Sequence, residues 1–206
     1  MSATSAGRVI AGTARGTRLV APGEGTRPIG DRVKQTLFAI LEPVLRGRAF
    51  LDLYAGSGAA GVEARSRGAA RAVFVERDQG AVATIHRNLE ASHFADGDSI
   101  VVRAEADAWL RGPGRSAGPY AVVFLDPPYD RPELAERALR TIADAGPGTI
   151  LEVEGIVVTK HFWRTPPPAR AGLLASGRER RFGETTLTFH RWAAPDAAPA
   201  GDEEDR

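Results

Sequence analysis

Apolar positions in the middle of the chain alternate between short continuous runs and segments with helical spacing. The short runs predict strands over residues 49–53, 72–76, 99–103, 121–125 and 149–154. The segments between them predict helices over residues 59–67, 79–91, 106–110 and 132–145. Strands that alternate with helices indicate a mostly parallel sheet with helices on both faces, so we expect an α/β, Rossmann-like fold.

Both ends of the chain depart from this alternation. Two short β-like stretches, at 8–11 and 17–20, predict an N-terminal hairpin. Apolar residues at helical spacing then predict a helix from Asp31 to Leu45, with Asp31 as its cap. Near the other end, residues 173–176 and 185–191 predict an antiparallel hairpin at one edge of the sheet.

Composition excludes several classes of site. The chain has no cysteine, which excludes disulfides, thiolate zinc sites and a cysteine nucleophile. Its four histidines show no metal-ligand spacing, so we expect no metal. No apolar run approaches the roughly 20 residues that span a bilayer, and the first residues do not resemble a signal peptide. We therefore expect a cytoplasmic protein without membrane contact, and a monomer by default.

The net charge of +1 is unevenly distributed along the chain. Residues 193–206 hold five acidic residues against one arginine, so the rest of the chain is positively charged. This segment also contains prolines among alanines, which predicts a disordered acidic tail. The expected domain organisation is an N-terminal β-hairpin extension over 1–28, a main domain over 29–192 and the tail over 193–206.

A glycine-rich loop directly follows the first strand of the alternating region. Gly56 and Gly58 permit a tight turn and close approach of a ligand to the backbone, and the next helix aims free N–H groups at the same place. With Gly61 they also satisfy the G-x-G-x-x-G spacing, and Glu76 ends the following strand, where a ribose-binding acid belongs. A nicotinamide-dinucleotide dehydrogenase is therefore an alternative on these residues alone.

A sulfonium cofactor fits the same loop better. Asp52 precedes the glycines, where a cationic ligand would be favoured and a pyrophosphate would not. Glu76 can accept hydrogen bonds from ribose hydroxyls, and Asp107, after the third strand, can accept one from an adenine amino group. We predict S-adenosyl-L-methionine as the cofactor. The predicted cofactor-binding residues are Asp52, Tyr54, Ala55, Gly56, Ser57, Gly58, Glu76 and Asp107.

A second motif, Asp126-Pro127-Pro128-Tyr129, ends the fourth strand of the alternating region. The two prolines fix the backbone and donate no N–H, so the carbonyls of Asp126 and Pro127 can accept hydrogen bonds from a substrate. Tyr129 offers a ring that can stack on a planar base. These parts suit methylation of an exocyclic amine, because acceptors at its N–H groups stabilise the positive charge that develops during transfer. We predict Asp126, Pro127 and Tyr129 as catalytic residues.

Several segments together resemble the bacterial 16S rRNA (guanine-N2)-methyltransferase family of the RsmD type. The matching segments are 8–12, 25–33, 51–58, 63–70, 74–76, 124–129 and 181–185. The resemblance implies a class I methyltransferase fold of seven strands with an N-terminal β-hairpin extension. It implies N2-methylation of one guanine in small-subunit rRNA, on an assembled or partly assembled particle.

One departure from the family leaves the adenine contact open. The family usually has a Gly-Asp pair after the third strand, where this chain has Ala104-Glu105-Ala106-Asp107. Glu105 and Asp107 therefore compete for this role, and we prefer Asp107. For contact with RNA phosphates we predict Arg15, Arg18, Arg27 and Arg32, near the acceptor site.

Two further functions stay open at this point. The Asp-Pro-Pro-Tyr motif also serves adenine-N6 methylation of DNA, although no separate target-recognition domain is visible. The chain is also compatible with a non-catalytic RNA-binding or assembly module that keeps the cofactor pocket. The choice of guanine in rRNA rests on the family resemblance.

Overall fold

Five parallel strands form the centre of the fold in the computed structural model, which describes residues 5–23 and 29–193. Two short strands precede them in the chain, β1 (Ser5–Arg8) and β2 (Arg18–Val20). The parallel strands are β3 (Ala49–Leu53), β4 (Arg71–Glu76), β5 (Ser99–Arg103), β6 (Tyr120–Leu125) and β7 (Leu151–Phe162). Three antiparallel strands extend the sheet at one edge: β8 (Arg170–Ala171), β9 (Leu174–Phe182) and β10 (Thr185–Trp192).

The strand order of the main sheet is β5-β4-β3-β6-β7-β10-β9-β8. The chain therefore runs outward from β3 through β4 to β5 and then returns to the other side of β3 with β6. Ligands bind at such a reversal, outside the carboxyl ends of the strands. The predicted fold class is confirmed: seven strands make up the expected sheet, and the two-residue strand β8 adds an eighth at its antiparallel edge.

Helices cover both faces of the sheet. The helices are α1 (Asp31–Leu45), α2 (Ala59–Ser66), α3 (Gln79–Ala91), α4 (Ala106–Arg111), α5 (Gly114–Ala117) and α6 (Glu133–Ala145). Alternate strand residues point to opposite faces, so Phe50 and Phe124 pack with α1 and α2, whereas Leu51 and Val123 pack with α4 and α6. Within the described ranges, no helix is long and apolar enough to cross a membrane.

The largest difference from the predicted elements lies in β7. The prediction ended this strand at Glu154, but β7 continues to Phe162. Its register against β6 shifts between the pairs Tyr120–Leu151 and Val122–Ile156, so a bulge interrupts the strand. Gly155 lies in that bulge, with Leu151 so close that a Cβ on Gly155 would lie 2.6 Å from its Cδ1. A bulge hides the period of a strand from its sequence, which explains the early end.

The N-terminal hairpin is present, but β1 ends earlier than predicted. The N–H groups of Ile10 and Ala11 donate to the carboxylate of Glu63 on α2, at 2.8 and 3.1 Å, rather than to a neighbouring strand. Asn88 on α3 binds the other strand, since its side chain accepts from the N–H of Val20 at 2.9 Å and donates to its carbonyl. The extension is therefore held on α2 and α3 by buried polar side chains.

Two further expectations concern the start of α1 and the acidic tail. Asp31 does not cap α1: Gly30 is the cap residue, and the carboxylate of Asp31 pairs with Arg8 at 3.2 Å instead. The acidic tail lies outside the described residues from position 194 onward, and so does Arg27.

Candidate active site

A cavity of about 720 Å³ opens at the carboxyl ends of β3, β4 and β6. Its volume falls in the range that small-molecule sites usually have, and it lies where the strand order reverses. Most of the predicted site residues come together there. The predicted residues that line the cavity are Asp52, Tyr54, Ala55, Gly56, Ser57, Glu76, Asp126, Pro127 and Tyr129.

The loop after β3 has a backbone that needs its glycines. Gly56 has φ 55° and Gly58 has φ 75°, in the left-handed region that glycine tolerates best. Tyr54 also has a positive φ, 60°, which is uncommon for a residue with a side chain and is typical of functional sites. Gly58 does not line the cavity but is the N-cap residue of α2, where an added Cβ would lie 3.2 Å from Ile85.

Glu76 connects the end of β4 to this loop. Its Oε2 accepts from the N–H of Gly56 at 2.8 Å, and its Oε1 accepts from the N–H of Asp78 at 2.9 Å. A carboxylate oxygen can accept more than one hydrogen bond, so both oxygens retain capacity for ligand hydroxyl groups. Glu76 is thus fixed in place at the cavity wall, as a ribose-binding acid has to be.

Asp52 lies beneath the loop and is almost fully buried, with 1% of its surface exposed. Its Oδ2 accepts from the N–H of Gly61 in the first turn of α2, at 2.9 Å. Burial raises the pKa of Asp52 well above its ordinary value, the Gly61 hydrogen bond lowers it, and the negative charges of Asp126 and Glu76 raise it further. A cation in the cavity would offset these effects and favour the carboxylate.

Lys160 on β7 lies beside Asp126. We call the part of the cavity formed by Asp126–Tyr129, the predicted acceptor motif, its acceptor side. Its Nζ lies 2.7 Å from Asp126 Oδ1 and 4.8 Å from the centre of the Tyr129 ring. The Tyr129 hydroxyl lies 2.8 Å from Thr185 Oγ1 on β10, which fixes the ring. The acceptor motif therefore presents a carboxylate, an ammonium group and an oriented aromatic ring in one place.

Burial and charge act in opposite directions on this pair. Burial raises the pKa of Asp126, and the neighbouring Lys160 ammonium lowers it, with a net rise. Burial lowers the pKa of Lys160, but Asp126 raises it, and the net result is above the ordinary value. Lys160 is thus protonated at neutral pH and favours the ionised form of Asp126.

Lys160 is a site residue that the sequence analysis does not predict. Only 6% of its surface is exposed. The available signal is its position two residues after the apolar run from Ile156 to Val158. A lysine in a buried strand needs a partner, and here the partner is Asp126 on the adjacent strand.

Asp107 does not reach the cavity. Its carboxylate pairs with Arg111, lies 2.8 Å from Arg137 Nη2 and accepts from the Thr141 hydroxyl at 3.3 Å, so it ties α4 to α6. Glu105 and Ala106 line the cavity instead. The preference for Asp107 over Glu105 therefore does not agree with the geometry.

The predicted RNA-binding arginines are spread out. Arg15, Arg18 and Arg32 are exposed, and none of them lines the cavity. Arg15 follows Ala14, whose N–H donates to Ser66 Oγ at 3.0 Å at the C-terminal end of α2. The cavity lies at the N-terminal end of that helix, roughly 10 Å away along its axis. The structure thus does not bring Arg15 to the acceptor motif.

Comparison with known proteins gives the chain a family. The model of a family described as conserved hypothetical protein 95 matches residues 7–191. The chain belongs to this family. The match includes the N-terminal hairpin, the cavity residues and the antiparallel edge of the sheet.

Named relatives agree with this assignment and with the RsmD-type resemblance, which is confirmed. The putative rRNA methyltransferase YlbH of Bacillus subtilis is 35% identical over 185 residues, which cover 89% of this chain and 98% of that protein. Ribosomal RNA small subunit methyltransferase D of Escherichia coli K12 is 39% identical over 140 residues, which cover 68% of each chain.

A solved structure has the same architecture over nearly its whole length. The putative methyltransferase yhhF from Escherichia coli superposes with a TM-score of 0.74 at 33% identity, covering 91% of this chain and 98% of that one. Membership in this family favours the methyltransferase interpretation of the glycine loop over the dinucleotide-enzyme interpretation.

Proposed function

We propose that this chain transfers a methyl group from S-adenosyl-L-methionine to the exocyclic N2 amine of a guanine in 16S rRNA. The observation that carries the proposal is the placement of Asp126, Pro127 and Tyr129 in the same cavity as the glycine loop. A cofactor site and an amine-acceptor site thus lie in one cavity at the carboxyl ends of the strands. The choice of guanine N2 follows the family to which the chain belongs.

The residues of the cofactor side fit S-adenosyl-L-methionine. Bound there, it supplies a methyl group that is already activated for transfer. Glu76 is held ready to accept from ribose hydroxyls, and the buried carboxylate of Asp52 favours a cation nearby. Glu105, at the N-terminus of α4, takes the adenine side of the cavity in place of Asp107.

The acceptor side addresses the poor nucleophilicity of an exocyclic amine, whose lone pair is delocalised into the ring. Asp126 and the carbonyl of Pro127 accept hydrogen bonds from the two N–H groups and so favour a pyramidal nitrogen. The nitrogen–carbon bond would form as the methyl group leaves the sulfonium, so the amine would become positively charged. The carboxylate of Asp126 would stabilise that charge until the amine loses a proton to water. Tyr129 stacks on the base and positions it for attack.

Lys160 prepares Asp126 for this role. Its ammonium group binds Oδ1, which leaves Oδ2 for the substrate amine. The same charge keeps the carboxylate ionised in a buried setting. Lys160 is therefore a positioning residue. It also favours the ionised form of Asp126 when the guanine binds.

The direct test is methylation of small-subunit particles and of free 16S rRNA with labelled S-adenosyl-L-methionine, followed by mass-spectrometric mapping of the product nucleotide. We expect label at N2 of one guanine. Asp126→Asn keeps the shape of the side chain but loses its charge, and we expect a loss in kcat of about 100-fold or more. Arg140→Ala, on the exposed surface of α6, is the matched control.

Two results would contradict the proposal. Label at adenine in duplex DNA, with none in rRNA, would support the DNA methyltransferase alternative. Cofactor binding without turnover on any ribosomal substrate would support the non-catalytic module. Full activity of Asp126→Asn would leave the methyl-transfer assignment standing but refute the proposed role of the carboxylate.

The biological setting belongs to the same proposal. The substrate is an assembled or partly assembled small-subunit particle, the enzyme is cytoplasmic, and it acts as a monomer. Arg18, Arg27 and Arg32 contact phosphates outside the cavity, which makes binding depend on salt. Analytical ultracentrifugation tests the monomer, and a comparison of rates on particles and on free rRNA tests the substrate.

A further inference from the structure

Trp163 directly follows β7, and 36% of its surface is exposed. Two guanidinium groups lie over its ring: the Cζ of Arg181 is 4.0 Å from a ring centroid, and the Cζ of Arg164 is 4.8 Å away. Arg181 is further fixed because its Nε donates to the carbonyl of Gly183 at 2.9 Å. We call these three residues the Trp163 platform.

A line of aromatic rings connects the Trp163 platform with the acceptor motif. The rings of Trp163 and Phe162 are 6.2 Å apart, and those of Phe162 and Tyr129 are also 6.2 Å apart. Tyr129 in turn stands beside Lys160 and Asp126. The platform is thus the outward continuation of the surface that receives the methyl acceptor.

Packing alone does not account for this arrangement. Burial would explain an apolar ring in the core, but Trp163 belongs to the few large apolar side chains of the described residues that stay exposed. Two guanidinium groups on one ring also repel each other. A polyanion would relieve that repulsion.

We infer that the Trp163 platform binds an unpaired nucleotide of the RNA next to the guanine that is delivered to Asp126. The base takes the place of Arg164 on the Trp163 ring, Arg164 then contacts a flanking phosphate, and Arg181 stays stacked on the ring. Stacking on aromatic side chains with arginines beside them is how proteins hold single-stranded RNA. This inference rests on the proposed function, because it names the surface that holds the same substrate.

Intrinsic fluorescence tests the inference without turnover. The chain has three tryptophans, and Trp109 and Trp192 remain in Trp163→Phe. We expect a short single-stranded oligoribonucleotide to quench the fluorescence of the wild-type protein and to leave Trp163→Phe nearly unquenched. The same sequence as a duplex should quench much less, because its bases are already stacked.

Kinetics on small-subunit particles provide the second arm. We expect Trp163→Ala to raise the KM for the particle about tenfold, the size expected from one lost stacking contact, and to leave the KM for S-adenosyl-L-methionine unchanged. Trp163→Phe keeps a ring and should raise the particle KM less. Arg181→Ala should also raise it, whereas the control Arg140→Ala should not.

The outcomes separate this inference from the proposed function. If the wild-type protein methylates no ribosomal RNA, the proposed function fails. The quenching experiment with the oligonucleotide then tests by itself whether the Trp163 platform binds single-stranded RNA. Quenching that persists in Trp163→Phe, or a particle KM that Trp163→Ala leaves unchanged, overturns the inference. A loss of particle affinity with oligonucleotide affinity intact also overturns it, because the ring would then contact a ribosomal protein.

Discussion

The ammonium of Lys160 and the carboxylate of Asp126 face each other across two adjacent strands, with 2.7 Å between Nζ and Oδ1. The register of β6 and β7 produces this contact, because Leu125 pairs with Thr159 and the next residue of each strand reaches the cavity. Only 8% of the lysine side chain and 19% of the aspartate side chain are exposed. The predicted acceptor motif is thus joined by a residue that lies 34 positions away from Asp126 in the sequence.

Lys160→Met should move the acid limb of the pH-rate profile to higher pH. Burial raises the pKa of Asp126, and the Lys160 ammonium opposes that rise. Without the ammonium, the pKa of Asp126 rises further, so more of the enzyme carries a neutral Asp126 at a given acidic pH. We also expect kcat at the optimum to fall by up to about 100-fold, since the carboxylate loses its fixed orientation. Methyl transfer measured across pH tests both effects.

Lys160→Arg is the conservative control for this prediction. It keeps the positive charge, so its acid limb should stay close to that of the wild-type protein even if its kcat falls. An acid limb that does not move in Lys160→Met would show that ionisation of Asp126 does not limit the reaction.

Much of the fold could be predicted from the period of apolar residues. The helix over Gln79–Ala91 and the strand over Ser99–Arg103 have the predicted bounds. The bulge near Gly155 could not be predicted, since only the register of β7 against β6 reveals it. The early end of β1 is similar: it depends on the long-range acceptor Glu63.

The site was predictable where it depends on local sequence and unpredictable where it depends on tertiary contacts. The glycine loop and Asp126 follow strands directly, so their place at the sheet edge follows from topology. Asp107 is predicted for its position in the chain, but Arg137 and Thr141 hold its carboxylate on α6. Lys160 lacks any motif of its own, and only the register of β7 brings it to Asp126.

Lys34→Met should destabilise the fold and loosen the N-terminal extension. Lys34 and Glu63 are both fully buried, with 3.8 Å between Nζ and Oε2, and Lys34 also donates to the carbonyl of Arg8. Removing one partner of a buried ion pair usually costs 3–5 kcal/mol. We expect about 3 kcal/mol, the lower end, because Arg67 still pairs with Glu63 at 2.8 Å. Urea denaturation measures the change.

The exposed pair of Arg140 and Glu136 provides the control for this experiment. Both side chains are largely in solvent, so Arg140→Ala should change the free energy of unfolding by less than about 1 kcal/mol. A Lys34→Met variant as stable as Arg140→Ala would mean that the extension does not depend on the buried charge.

Gly61→Ala should destabilise the cofactor loop through a collision with β4. A Cβ at this position would lie 2.1 Å from Cε1 of Phe74, and the backbone of α2 would have to move. Overpacking of this kind costs about 1–3 kcal/mol. Affinity for the cofactor should fall as well, because the Gly61 N–H binds Asp52. Thermal denaturation and calorimetric titration with S-adenosyl-L-methionine measure the two effects.

Two further variants assign the cause of this effect. Phe74→Leu frees space beside α2, so Gly61→Ala should cost less in that background than in the wild-type protein. Gly177→Ala, in a strand position where an added Cβ meets nothing within 4 Å, should be nearly neutral. Equal costs for Gly61→Ala in both backgrounds would exclude Phe74 as the cause.

Binding of S-adenosyl-L-methionine should release protons from Asp52 at pH values near its raised pKa. Burial raises the pKa of this carboxyl well above its ordinary value, so the free protein keeps the proton to a higher pH than an exposed aspartate does. A sulfonium beside it favours the carboxylate and lowers that pKa, so affinity should rise as pH increases through the pKa of the free protein. S-adenosylhomocysteine has no sulfonium charge and should release fewer protons. Calorimetry in two buffers of different ionisation enthalpy measures the release.

Asp52→Asn identifies the group that releases the proton. Asparagine keeps an oxygen that can accept from the Gly61 N–H, so the loop should keep its shape while the titrating group is lost. In this variant the difference in proton release between the two ligands should disappear, and the affinity for S-adenosyl-L-methionine should depend less on pH. If the difference between the ligands persists in Asp52→Asn, another carboxyl of the cavity is the source, and Asp52 serves only to hold the first turn of α2.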